Sequence, residues 1–267
     1  MCCKVSEKQQ VARKDTAAAR EDPTVKYTWL LVAMTLLPLG MKAQNVLPSG
    51  TIIPVSLDKG INASKAHAGQ AIKGVVMQNI PSTPIRRGAE VLGHVVRVTS
   101  SKNGPTRLEF TFDSVKIHGK VIPLKANLRA LASFMEVQDA QIPEDSPDSG
   151  VTPADATTQQ IGGDEVYRGG GPVAVGVETV GQPTPYGVLA IPRAQPGQNC
   201  RGQIGSNTQS QALWLFSTDA CGVYGFSNIR IAHAGRTEPA GTIILATDKG
   251  KLALNSGSGI LLRVQGS

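Results

Sequence analysis

From Gly50 onward, short β-branched and apolar runs alternate with clusters of Gly, Pro, Asn and Asp, and helical periodicity is scarce. This is the pattern of short strands joined by turns. It predicts strands over Thr51–Leu57, Gln70–Ile80, Glu90–Ser100, Arg107–Ile117 and Lys120–Ala132. In Arg107–Ile117 the apolar Leu108, Phe110 and Phe112 alternate with Glu109 and Thr111. One face of that strand is then buried, and Glu109 and Asp113 are expected to face solvent. Asn103–Gly104 and His118–Gly119 lie between paired runs and read as hairpin turns, because both pairs tolerate positive φ. Pro54 lacks a backbone donor, which places the first strand at an edge or a bulge.

The pattern dissolves from Asp139 to about Pro172. That stretch is rich in Pro, Gly, Ser, Thr and acids. It has too little apolar surface to offset its ordering entropy, so it reads as a linker or a long mobile loop. An ion-binding loop is the other reading, but "DEVYRGGG" lacks the alternating oxygen ligands of a calcium loop. Strand character resumes in Val173–Val180, Tyr186–Pro192, Ser210–Ser217, Gly222–Ala232, Gly241–Thr247, Lys251–Gly257 and Gly259–Val264. The expected fold is all-β. A small Greek-key-like barrel or sandwich spans 44–135, a flexible acidic linker spans 136–172, and a second β-rich module spans 173–267.

One phrase occurs twice. "GTIIPVSLDKG" opens at Gly50, and "GTIILATDKG" opens at Gly241. Gly supplies an unusual backbone angle where the chain turns in, β-branched residues suit the pleat, and Asp-Lys-Gly makes the turn. The surrounding residues do not match, so the repeat reads as one local problem solved twice rather than as a duplication.

Hydropathy sets the first 43 residues apart. Tyr27–Gly40 is an apolar run with Lys26 before it and the small Ala43 after it, the anatomy of a secretory signal peptide. The run is shorter than the ~20 residues that span a bilayer, so membrane association is expected only if this segment stays uncleaved. The polar leader before Lys26 is unusually long and reads as lying upstream of the true start. Cys2 and Cys3 precede the apolar core, so they are not a lipoprotein acylation site. Cys200 and Cys221 remain after cleavage. Export favours a Cys200–Cys221 disulfide over two thiols, closing a loop of roughly twenty residues worth about 3 kcal/mol.

Charge is unevenly spread after the signal. Residues 44–135 hold twelve Lys/Arg and four acids, 12 − 4 = +8. Residues 136–178 hold one Arg and nine acids, 1 − 9 = −8, and the remainder holds seven basic and three acidic residues, 7 − 3 = +4. A basic module points to an anionic partner. Nucleic acid fits poorly, since an exported protein rarely meets it and the module has almost no aromatics for base stacking. Arg86, Arg87, Arg97, Lys102 and Arg107 are the candidate binding residues.

Three stretches together resemble a known pattern: "LPSGTIIPVSLDKGINASKAHAGQAIKGVV", "PIRRGAEVLGHVV" and "TRLEFTFDSVKIHGKVIPL". They resemble the C-terminal β-barrel of the TrbI-like conjugation proteins, core-complex subunits of type IV secretion. Gly50, Thr51, Ile53, Ile61, Ser64, Gly69, Gly88, Gly93 and Gly119 occupy matching positions, and the resemblance covers residues 47–132. It implies a barrel fold and an envelope location. The chain departs from the family at Arg86 and Arg87, has no apolar helical pair to form an outer-membrane pore, and lacks the long Pro-rich arm. A secretion-channel role is therefore not implied.

Residues for catalysis are sparse. His67, His94, His118 and His233 do not sit at metal-ligand spacing, and no Cys lies near one. "GQIGSN" (202–207) is not a nucleophile elbow, and "YRGGGP" (167–172) lacks the Lys-Ser/Thr of a phosphate loop. Glu238 has no obvious partner acid. Asp113, Glu109 and His118 are the nearest approach to an acid–base group. Trp214, Phe216, Tyr224 and Phe226 flank the cysteines and read first as a small core, second as a sugar-binding platform. The expectation is an exported, non-catalytic envelope protein with a binding or scaffolding role and no cofactor. Its partner would be an anionic envelope polymer or another envelope protein. A secreted hydrolase or a carbohydrate-binding module using Trp214 and Tyr224 is the alternative.

Overall fold

The alternating runs form strands with one strongly apolar face, and in the computed structural model those faces meet inside a curled sheet. The structure describes residues 47–101, 104–142, 157–167, 171–175, 177–184, 187–192, 209–232 and 241–266. Among them the chain forms β1 (Ile52–Leu57), β2 (Ile61–Asn62), β3 (Ala71–Val76), β4 (Glu90–Ser100), β5 (Thr106–Ile117), β6 (Lys120–Pro123) and β7 (Ala126–Ala132). The short helix α1 (Phe134–Asp139) follows, capped by Ser133, whose hydroxyl accepts from Glu136 N at 3.2 Å. Then come β8 (Thr157–Gln159), β9 (Glu165–Tyr167), β10 (Val173–Val175), β11 (Glu178–Thr184), β12 (Gly187–Ala190), β13 (Gln211–Trp214), β14 (Gly222–Tyr224), β15 (Arg230–Ile231), β16 (Thr242–Thr247), β17 (Ala253–Leu254) and β18 (Gly259–Val264). The fold is all-β.

The larger sheet runs β14-β7-β18-β1-β3-β4-β5-β16-β15, with β6 beside β5. Its end strands β14 and β15 are consecutive in the chain, with residues 225–229 between them. Five residues reach at most about 20 Å, so the sheet must curl back toward itself as a half-barrel. Inside the curl lie Ile53, Val55, Val91, Leu108, Phe110, Phe112, Ile243 and Ile260. Phe110 and Phe112 meet edge to face at 5.9 Å.

The second sheet is the meander β13-β12-β11-β10-β9-β8. A parallel bridge between Ile161 and Phe216 ties its two ends together. It packs on the outer face of β1, β7 and β18, where Ile52, Ala130, Ala132 and Leu261 meet Val188, Trp214 and Phe216. These three strands are thus covered on both faces and almost wholly buried. Gly259 leaves room for Phe216 and Trp214, whose rings lie 3.2 and 3.4 Å from the place its Cβ would occupy.

Several expectations are corrected. The chain does not divide into separate sheets at 44–135 and 173–267: β18 pairs with both β1 and β7, β16 pairs with β5, and β14 with β7. Residues 44–267 form one compact unit. The 136–172 segment is not wholly a linker, since the end of α1 and all of β8 and β9 lie in it. Its described part buries Thr158, Gln160 and Asp164 beside the apolar Ile161 and Val166. Thr158 Oγ1 donates to Ala140 O and Ile142 O (3.1 and 2.8 Å), and the Asp164 carboxylate accepts from Thr218 N and Oγ1 (2.9 and 3.0 Å). Lys120–Ala132 splits into β6 and β7, and Gly222–Ala232 into β14 and β15.

Pro54 is on an inner strand, between β18 and β3. Its carbonyl accepts from Met77 N just beyond the end of β3, so its missing donor falls where that ladder stops. His118 and Gly119 do form the tight turn between β5 and β6, with φ of 46° and 79°. The repeated phrase finds a structural counterpart too. Gly50 and Gly241 have φ of 84° and 82°, and both lead into strands of the curled sheet. Both also dock at the end of β18, where Gly50 N donates to Val264 O (2.9 Å) and Gly241 N to Gln265 Oε1 (2.7 Å).

Candidate functional site

The loop from Met77 to Ala89, between β3 and β4, carries Arg86 and Arg87. Two apolar pegs hold it down, Ile80 and Ile85, which are 1% and 0% exposed. Ile80 N donates to Ile85 O at 3.0 Å. Thr83 Oγ1 donates to Ile80 O (3.0 Å) and accepts from Ile85 N (3.1 Å). Asn79 Oδ1 accepts from Arg87 N at 3.0 Å. With φ fixed at Pro81 and Pro84, the loop is braced rather than loose. Arg86 turns back on it, its Nη1 donating to Thr83 O (2.7 Å) and Ile85 O (3.2 Å).

The facing wall belongs to the second sheet. Thr184 and Leu189 close a cleft of about 820 Å³ against the loop, with both arginines on its lining. A second cavity of about 410 Å³ adjoins it and is lined by Met77, Arg87, Pro183, Thr184 and Trp214. Among the described residues, neither lining contains Asp or Glu. Gln78 ties the two sheets together where the cavities meet. Its Oε1 accepts from Trp214 N (2.9 Å) and its Nε2 donates to Thr184 Oγ1 (2.7 Å). Trp214 sits at φ 54°, a left-handed conformation that a bulky residue adopts only under constraint. Gly187 makes this possible, because any Cβ there would overlap the Trp214 backbone.

The other candidate residues lie elsewhere. Arg97 is seven residues along β4 from Glu90, about 23 Å at 3.3 Å per residue. Arg97 Nη2 and Arg107 Nε both bond Glu109 Oε1, at 2.7 and 2.9 Å. The expectation that Glu109 faces solvent is corrected, for its side chain is 8% exposed beneath the two guanidinium groups. Burial by itself would raise the Glu109 pKa, but the bonds from Arg97 and Arg107 outweigh it and hold the carboxyl below its ordinary value. Asp113 bonds His94 Nδ1 at 2.7 Å on the open face, so Asp113, Glu109 and His118 do not form one group. Lys102, Cys200, His233, Glu238 and the 202–207 stretch lie outside the described residues.

Trp214 is 2% exposed and meets Phe216 edge to face at 6.4 Å, which makes it core rather than an open sugar platform. Phe226 packs with the other core cluster, so the four rings do not share one core. Cys221 is fully buried beside Tyr224, whose hydroxyl accepts from Cys221 N and donates to Cys221 O. Arg129 on β7 is 2% exposed and donates to Ala220 O (3.0 Å) and Thr218 O (2.9 Å). Burial, with help from the nearby Arg263 charge, lowers its pKa to about 10.

Sequence reasoning missed Gln78, Thr184 and Trp214 as a group beside Arg87, because Thr184 and Trp214 lie 106 and 136 residues beyond Gln78. No family profile, curated protein or solved structure matches the chain.

Proposed function

We propose that this chain is an exported, non-catalytic envelope protein with a binding or scaffolding role, and that Arg86 and Arg87 meet an anionic envelope partner. One observation carries the reading. Two guanidinium groups on a braced loop line a cleft whose described residues include no carboxylate. Arg97 and Arg107 share the Glu109 carboxylate, which offsets their charge locally. The signal-like apolar run and the resemblance of residues 47–132 to TrbI-like barrels support an envelope location. The Cys200–Cys221 bridge belongs to the same reading, and free-thiol titration of the unfolded, unreduced chain tests it.

The function is tested by retention of the full-length protein on envelope fractions at rising salt. Retention should fall as salt rises, because charge contacts near a surface are screened within about 10 Å at 0.1 M salt. The double variant Arg86→Gln/Arg87→Gln should elute several-fold earlier in the gradient than Arg97→Gln/Arg107→Gln. Retention that ignores both salt and the Arg86/Arg87 changes would refute it.

A further inference from the structure

The two Asp-Lys-Gly turns of the repeated phrase lead into one small ladder. β2 follows the first turn and β17 follows the second, and they pair antiparallel, Ile61 with Leu254 and Asn62 with Ala253. Ala63 N extends the ladder by donating to Leu252 O at 2.9 Å. Ile61, Ala63, Leu252 and Leu254 are buried in the core of the curled sheet, so the apolar side of this ribbon is anchored. Gly60 lets the two segments close up, because a Cβ there would lie 2.7 Å from Leu254 O. The turns are tied down as well. Ser256 Oγ donates to Asp58 O (2.7 Å), and Asn228 Nδ2 donates to Lys251 O (3.0 Å).

The outer side of the ribbon is basic. Lys59 stands in the turn before β2, Lys65 in the turn after it, and Lys249 and Lys251 just before β17, and all four are exposed. Antiparallel pairing brings the turn after β2 next to the stretch before β17, so Lys65, Lys249 and Lys251 share one end of the ribbon. Among the described residues, no ion pair involves any of the four. Of the nearby acids, Asp248 is bonded to Arg230 at 2.8 Å, and the Asp58 charge lies near Lys73. The ribbon precedes β3 and the Arg86–Arg87 loop follows it, so the two basic regions flank opposite ends of that strand.

An ammonium is a compact, strongly hydrated point charge on a flexible stem. It suits a phosphate approached from any side, whereas a planar carboxylate is matched best by a guanidinium fork. These charges are also spread over separate turns. The anion that uses them together is a chain with charge repeated along its length.

We propose that Lys59, Lys65, Lys249 and Lys251 form a second anion-binding face, which takes a linear phosphate-bearing polymer. It does not depend on the reading of Arg86 and Arg87.

Calorimetric titration of the full-length protein with long-chain polyphosphate, tripolyphosphate and polygalacturonate tests this. Long-chain polyphosphate should bind, and more weakly as salt rises. Lys65→Gln/Lys251→Gln should weaken it roughly tenfold, through the loss of two phosphate contacts. Lys65→Arg/Lys251→Arg keeps the charge and should keep most of the affinity. Lys120→Gln/Lys125→Gln removes the same charge elsewhere. Lys120 follows the far end of β5, about 36 Å along that strand from Thr106, which pairs with Thr247 beside the second turn. This control should cost far less. Equal weakening by the two Gln pairs overturns the face, because binding then follows net charge alone. An unchanged affinity in a folded Lys65→Gln/Lys251→Gln protein overturns it too, as does the absence of polyphosphate binding. Polygalacturonate bound as tightly as polyphosphate overturns the phosphate assignment, and tripolyphosphate bound as tightly overturns the polymer.

Discussion

Glu109 occupies a place that alternation alone assigns to solvent, and the reason is its partners. Two arginines from neighbouring strand positions cover it, and a carboxylate accepting two charge-assisted bonds tolerates burial that a lone one would not. Its folded pKa lies below its ordinary value of 4.5, so the unfolded chain binds a proton there first as acid is added. The stabilisation is complete above that value and fades as pH falls through the lower, folded pKa. Melting temperatures across pH 2–7 should therefore fall more steeply for the wild type than for Glu109→Gln. At neutral pH the variant should be less stable by about 1–2 kcal/mol, because both guanidinium groups then bond a neutral amide oxygen in place of a carboxylate. Parallel pH profiles for the two proteins would rule this account out.

At the scale of the element, Gly50 and Gly241 show what the repeated phrase is for. Each turns the chain at positive φ into a strand of the curled sheet, and each delivers its N–H to the same end of β18. A side chain at that backbone angle costs about 1–2 kcal/mol. Gly50→Ala and Gly241→Ala should destabilise by similar amounts in that range, measured by urea unfolding. A large effect at one and none at the other would mean that the two glycines do different work. The acidic segment teaches the converse lesson. Its composition reads as linker, yet Thr158 and Asp164 tie parts of it to α1 and to the stretch after β13 through buried hydrogen bonds. Composition counts apolar surface and is blind to polar groups that find partners far along the chain.

For the whole molecule, the decisive feature is that the last strand is an inner one. β18 sits between β1 and β7, and removing it exposes both edges and opens the core at Ile260 and Leu262. A fragment of residues 44–135 should thus show no cooperative unfolding, even though it holds most of the strands of the curled sheet. The intact chain should give one transition in the same buffer. A folded, cooperatively melting 44–135 fragment would restore the two-module division.

The sequence by itself determined the strands β1, β3, β4 and β5, the tight turn at His118–Gly119 and the uneven charge. Those features are local: side-chain period, turn chemistry and composition act over a few residues. Only the tertiary structure decided that β1 and β18 share one sheet, that Glu109 and Asp164 are buried, and that Arg87, Thr184 and Trp214 line one cavity. Each of these depends on pairing between strands about a hundred residues or more apart, or on a partner that neutralises an otherwise costly burial. Neither leaves a periodic signal in the chain.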